Sequence, residues 1–112
     1  MLSRRHRLRQ AKDFIRIYRR GQKRQSREII IYWLKTPTTE PIQVGIVLSR
    51  QVSHKANLRN LYRRRLAAVI KEYLPNLPAT GLNLVVVANR HILLQDYKGV
   101  QTQLVKLLSQ IK

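Results

Sequence analysis

Between Ser49 and Leu66 the chain reads SRQVSHKANLRNLYRRRL, and this stretch restricts the possible folds more than any other. Set on a helix from about Asn57, at about 100° per residue, Leu58, Tyr62, Leu66, Val69 and Tyr73 fall on one stripe. Such a stripe must be buried against a neighbouring layer, so the helix cannot stand alone. Asn60, Arg63, Arg64, Ala67 and Lys71 fall on the opposite side, with Arg59 at the boundary. The junction ahead of the helix adds Arg50 and Lys55, and no acidic residue interrupts the series through Arg65. Surface helices ordinarily interleave Glu with their Lys and Arg. A helix with one apolar face and one face of Arg plus Asn suits a polyanion. Guanidinium forks match phosphate oxygens, and Asn reaches either a phosphate or a base edge. A merely solvated basic face is the plainer alternative.

The same bias runs through the whole chain. Its 112 residues hold 23 Lys and Arg against 5 Asp and Glu, a formal net charge of +18. Self-repulsion of that size strains a compact state, and a polyanionic partner relieves it. The charge sits in segments that also carry apolar periodicity rather than in a tail, which favours nucleic acid. No segment joins a basic face to an exposed aromatic and leucine face, which disfavours a membrane surface. The chain has no cysteine, so disulfides and thiolate metal sites are excluded and a reducing compartment is expected. No apolar run approaches the roughly 20 residues of a membrane span, and no signal-peptide core follows the basic N-terminus. A cytoplasmic protein of one domain, residues 1–112, is the expectation.

Taken in order, residues 1–9 (MLSRRHRLR) read as a flexible basic arm with only Leu2 and Leu8 to bury. Gln10 to Arg20 is helical in pattern, with Leu8, Ala11, Phe14, Ile15 and Tyr18 on one side, and Gly21 stops it. Phe14 and Tyr18 are i,i+4 neighbours. A polar connection over residues 22–28 leads to a strand, Ile29 to Leu34, apolar on both faces. After a turn over Thr36 to Pro41, a second strand from Ile42 to Leu48 places Gln43, Gly45 and Val47 on a less bulky side, with room for something besides side chains. The two strands are expected to pair as an antiparallel hairpin.

The basic helix runs from about Asn57 to Leu74, with Asn57 or Ser53 as N-cap and Pro75 as its stop. Leu82 to Ala88 is a third, central strand. A loop with Arg90 and His91 follows, then a helix capped by Asp96 and running to about Gln110. Its inner face is Tyr97, Val100, Leu104, Leu107, Leu108 and Ile111. This order suggests an α+β sandwich on a mainly antiparallel sheet.

Nothing in the side chains looks like a self-sufficient nuclease. Metal-dependent phosphodiester chemistry needs clustered carboxylates, and proton transfer needs a histidine with a lysine or a second histidine. The acids Asp13, Glu28, Glu40, Glu72 and Asp96 are scattered, as are His6, His54 and His91. Sequence-specific DNA reading needs a projecting recognition helix, whereas this helix is buried along a whole stripe. RNA fits better, with Tyr32, Phe14 and Tyr18 available to stack or guide a single strand.

Over nearly its full length the chain resembles the protein subunit of bacterial ribonuclease P. The resemblance rests on Val44-Gly45-Ile46-Val47-Leu48-Ser49-Arg50, on Ala56 to Leu58, and on Arg59-Asn60-Leu61-Tyr62-Arg63-Arg64. It rests also on Arg7-Leu8, Asp13-Phe14, Tyr18 and Gly21, and on Val85-Val86-Val87-Ala88 leading to Tyr97 and a helix. It implies a two-layer α-β sandwich, with a left-handed βαβ crossover through the basic helix against the usual handedness. It implies a partner RNA that carries out Mg²⁺-dependent cleavage, with the Mg²⁺ held mainly by that RNA. The protein, one copy per RNA, binds this ribonuclease P RNA and the 5′ leader of precursor tRNA. The catalytic RNA then falls to Arg50, Lys55, Arg59, Asn60, Arg63 and Arg64, and the leader to a cleft of Phe14, Tyr18, Ile30, Tyr32 and Val47. The protein itself supplies no catalytic side chain.

The chain departs from the family pattern at a few positions. Leu61 replaces the third residue of the Arg-Asn-Arg motif, leaving Arg64 or Arg65 to compensate, and Gln51 stands where a basic residue is usual. Asn89 replaces an arginine that here comes one step later, as Arg90. The alternative functional reading is a structural, ribosomal-type RNA-binding protein without a part in tRNA cleavage.

Overall fold

The computed structural model describes residues 2–111. Three helices, α1 (Ala11–Arg20), α2 (Ala56–Tyr73) and α3 (Tyr97–Leu108), surround a sheet of β1 (Gln22–Gln25), β2 (Ile29–Lys35), β3 (Gln43–Val47) and β4 (Leu82–Ala88). The strand order is β1-β2-β4-β3. β1 and β4 run antiparallel to β2, and β3 is parallel to β4, so the connection through α2 is a βαβ crossover between neighbours. Among the described residues no helix is long and apolar enough to cross a membrane.

The expected hairpin of β2 with β3 does not form, because β4 lies between them. β2 and β4 are the strands apolar on both faces, and they take the two central positions, where both faces are covered. The intervening segment bonds to the approach of β4: Thr36 N–H donates to the Gly81 carbonyl (2.8 Å) and Ile42 N–H to the Ala79 carbonyl (3.0 Å). The true hairpin is β1–β2, closed by Ser26 N–H on the Ile29 carbonyl at 2.8 Å. Residues 22–25, expected as part of a polar connection, are therefore a strand. All four are exposed, so no apolar alternation announces them.

Of residues 1–9, expected as a flexible arm, residues 2–8 follow the outer edge of β3. Leu2 is buried in the main core. Leu8 N–H donates to the Val44 carbonyl (2.9 Å) and the Gln43 amide to the Arg5 carbonyl (2.6 Å). The edge of β3 offers backbone groups that this segment pairs. Met1 lies outside the described residues.

One face of the sheet carries α2 and α3 over a core of Ile31, Trp33, Val44, Leu66, Ile70, Leu84, Val86 and Leu104. Burial of side chains such as Leu66 or Ile70 contributes about 1.5–3 kcal/mol each. The stripe predicted on α2 points inward, with Tyr62, Leu66 and Val69 buried and Leu58 and Tyr73 half-buried. Ala67, expected on the outer side, is buried too: the helix is covered over a wider arc than one stripe, and a methyl group fits there. α2 begins at Ala56, and neither Asn57 nor Ser53 caps its side-chain-free start at Lys55. Ser53 instead accepts from Lys55 N–H through its hydroxyl and from Arg59 through its carbonyl. Asp96 caps α3 as expected, its carboxylate accepting from Gly99 N–H at 2.8 Å.

α1 lies on the opposite face, against β2 and β4. It ends at Gly21, whose φ of −74° is open to any residue. Glycine is needed there for closeness, since a Cβ would stand 2.5 Å from the Ile17 carbonyl oxygen and 2.7 Å from that of Trp33.

Candidate nucleic-acid interface

The strand registers align two rows of side chains across the α1 face of the sheet. The first is Lys23–Tyr32–Val85–Gly45 and the second Gln25–Ile30–Val87–Val47. At about 4.8 Å between strands, each row is roughly 14 Å long. α1 covers the first. Phe14 lies over Gly45, where a Cβ would come within 2.5 Å of its ring. The space expected on this side of β3 is therefore filled at Gly45 by the protein's own phenylalanine. Tyr18 meets Tyr32 edge-on with centroids 4.8 Å apart, and Phe14 and Tyr18 are 6.5 Å apart.

The second row is left partly open. Ile30, Val87 and Val47 are half-buried, forming a shallow apolar floor beside an aromatic wall. The five cleft residues Phe14, Tyr18, Ile30, Tyr32 and Val47 thus share one face. Val87, which the sequence places on the central strand without assigning it to the cleft, joins Ile30 to Val47. Tyr18 remains 40% exposed, so the wall is reachable from solvent. Partial burial, and then the neighbouring Tyr32, push its hydroxyl above the ordinary tyrosine range.

The basic face of α2 approaches this region around the outer edge of β3. Arg63 and Ala67 of α2 line a cavity of about 160 Å³ together with Arg7, Leu8, Phe14 and Gly45. Its floor is apolar and two guanidiniums stand at its side, so the arginine helix and the aromatic wall meet there. Arg63 donates to the Asn60 side chain at 2.8 Å, and Arg59 to the Ser53 carbonyl at 2.6 Å. These bonds hold three of the motif's side chains, Arg59, Asn60 and Arg63, in place while leaving other guanidinium donors free. Among the described residues, Arg50, Lys55 and Arg64 are exposed and have no carboxylate partner. Leu61 is half-buried and packs on the main core, so the position of the missing motif arginine points inward in this chain. Arg65 stacks over Tyr62 at 5.0 Å, and the Tyr62 hydroxyl donates to the Gln95 carbonyl at 2.9 Å, tying α2 to the turn before α3.

Arg7 enters the sequence only through the Arg7-Leu8 pair of the family resemblance, with no site assigned to it, and the structure places it in the cavity beside Arg63. Ser49, Gln51, Asn89, Arg90 and His91 also gather, around an open depression at the C-terminal ends of β3 and β4. Among the described residues no three His, Cys, Asp or Glu side chains are grouped to hold a metal ion.

A small α+β sandwich with an arginine-faced crossover helix, joined at one edge to an aromatic-walled apolar groove, belongs to the class of RNA-binding proteins. Comparison with known proteins narrows this. Residues 2–112 match the family described as Ribonuclease P. The Ribonuclease P protein component of Rippkaea orientalis is 32% identical over 111 residues, which cover 96% of this chain and 87% of that protein. The RNase P protein from Thermotoga maritima superposes with a TM-score of 0.82 at 26% identity, over 96% of this chain and 99% of that one. The Staphylococcus aureus RNase P protein shares the fold, with a TM-score of 0.84 at 22% identity over 93% of each chain. The chain belongs to the ribonuclease P protein family.

Proposed function

We propose that this chain is the protein component of a ribonuclease P ribonucleoprotein, binding a catalytic RNA and the 5′ leader of precursor tRNA. The open row Ile30–Val87–Val47, beside the wall of Phe14, Tyr18 and Tyr32, carries this reading. An apolar floor next to aromatic rings takes the bases of a single strand, each stacked base contributing about 1–3 kcal/mol. A duplex would present only its phosphates to such a floor. Arg50, Lys55, Arg59, Asn60, Arg63 and Arg64 take the catalytic RNA, from a face that reaches the groove at the Phe14–Arg63 cavity.

In this reading the protein holds the leader straight and lowers the repulsion between two RNAs, and the RNA subunit cuts the leader off endonucleolytically to leave the mature 5′ end. The scattered carboxylates do not fit a protein-held Mg²⁺, so the Mg²⁺ of the reaction is assigned to the RNA, and no step is routed through the protein's acids. One copy per RNA, acting in the cytoplasm, suffices.

The test is cleavage of a precursor tRNA by a bacterial ribonuclease P RNA at low Mg²⁺, with protein, without it, and with protein alone. Correct cleavage that needs both components is expected. Binding to the RNA with cleavage unchanged would instead support a structural RNA-binding role, and cleavage by protein alone would overturn the assignment of chemistry to the RNA.

A further inference from the structure

A second basic surface lies away from α2. Arg16, Arg19, Arg20, Lys23, Arg24 and Arg27 follow one another with no acidic residue between them, and all six are exposed. Among the described residues only Arg16 is neutralised, by Asp13, while the Glu28 carboxylate is buried and turned to Gln95. Charged residues on an edge strand such as β1 can serve only to repel other strands. That role requires charge on the edge but does not explain its alignment with the groove. Lys23 stands in the same row as Tyr32, with its Nζ 5.8 Å from the ring centroid, and Gln25 ends the open row. Arg24, on the other face of β1, lies 5.7 Å over Trp33, so cations wrap both sides of this edge.

We propose that the β1 edge is a second phosphate-binding surface, which takes the part of the leader lying beyond the nucleotides in the groove. The proposal rests on the reading of the groove as the leader site. The residues assigned to the catalytic RNA lie on the β3–α2 side, so the cleavage-proximal end of the strand belongs there. A strand laid across Val47, Val87 and Ile30 leaves the sheet past Gln25 and Lys23. Its next phosphates then meet Arg24, Arg20 and Arg27, on a flexible chain that needs no base recognition. The predicted consequence is a preference for long leaders irrespective of their distal sequence.

The experiment measures precursor tRNA affinity of the reconstituted holoenzyme over leaders graded from a few nucleotides to well past the width of the sheet. The expected result is a second rise in affinity for long leaders, lost in Lys23→Gln/Arg24→Gln and kept in Lys23→Arg. The salt slope on the longest precursor should fall by about 1.4 in the double variant, at roughly 0.7 per single-strand phosphate contact. The double variant is expected to stay folded, its thermal unfolding lowered only slightly by the loss of two exposed cation–ring contacts. An affinity that stops rising once the groove is filled, or a second rise that survives the double substitution, overturns the proposal. Indifference to the leader at every length overturns the groove reading itself, and this proposal with it.

Discussion

Phe14 occupies the place that a side chain at Gly45 would need, its ring 2.5 Å from where a Cβ would stand. The contact sets how closely α1 approaches β3, and with it the width of the groove. Gly45→Ala should destabilise the protein by about 1–3 kcal/mol, the usual cost of overpacking. In a double-mutant cycle, Phe14→Ala should recover part of that loss, with a coupling on the order of 0.5–3 kcal/mol. Urea unfolding of the four proteins measures it, and additive effects would show that ring and glycine are not in contact.

The Tyr62 hydroxyl, donating to the Gln95 carbonyl at 2.9 Å, holds the arginine-bearing helix to the turn before α3. Tyr62→Phe keeps the ring under Arg65 and removes only what the hydroxyl makes, the bond to Gln95 and a longer contact to the Leu93 carbonyl at 3.3 Å. A loss of about 0.5–1.5 kcal/mol is expected. It should appear as a lower urea midpoint with an unchanged slope.

Tyr18 titrates above its ordinary value of 10.0, through burial first and Tyr32 second. The folded state therefore holds this proton more tightly than the unfolded chain. The linked stability is fully present below the unfolded value and is lost as pH rises through the higher folded value. Stability should fall on the alkaline side of pH 10.0 more steeply in the wild type than in Tyr18→Phe. Ultraviolet titration with denaturation at each pH checks both shift and slope, and identical alkaline slopes in the two proteins would contradict it.

Arginines left without carboxylates should bind simple anions. Sulfate or phosphate at fixed ionic strength should raise the melting temperature, since a ligand of the native state stabilises it by mass action. Arg63→Gln/Arg64→Gln should blunt the rise. RNA binding should weaken steeply with salt, by on the order of 10³- to 10⁵-fold between about 50 and 200 mM for six to ten phosphate contacts. A melting temperature indifferent to anion identity would count against clustered sites.

The parts of the fold legible in the sequence are those with a strong period. α2 and α3 announce themselves through Tyr62, Leu66, Val69 and Val100, Leu104, Leu107, and Asp96 marks the start of α3. β2 and β4 are apolar on both faces and lie in the centre of the sheet. β1 could not be read because an exposed edge strand of Gln, Lys, Arg and Gln needs no apolar residue. Proximity in sequence favours a hairpin of β3 with β2, whereas β4 offers the better-buried neighbour. At the site, alternation alone puts Ile30 with Tyr32, and Gly45 with Val47. What fills the space over Gly45 depends on the crossing of α1, a tertiary fact with no local signature. Leu61 is a departure from the motif in sequence and an inward-facing core contact in the structure.

The most direct test of the groove compares the affinity of the reconstituted holoenzyme for one tRNA with and without a short 5′ leader, in the wild type and in Tyr32→Ala. The wild type should bind the leader-bearing form at least about tenfold more tightly, the equivalent of one good base stack. Tyr32→Ala should lose most of that ratio while still binding the ribonuclease P RNA. Equal affinity for the two forms in the wild type, or a ratio untouched by Tyr32→Ala, would contradict the assignment of the open row beside α1 to the leader.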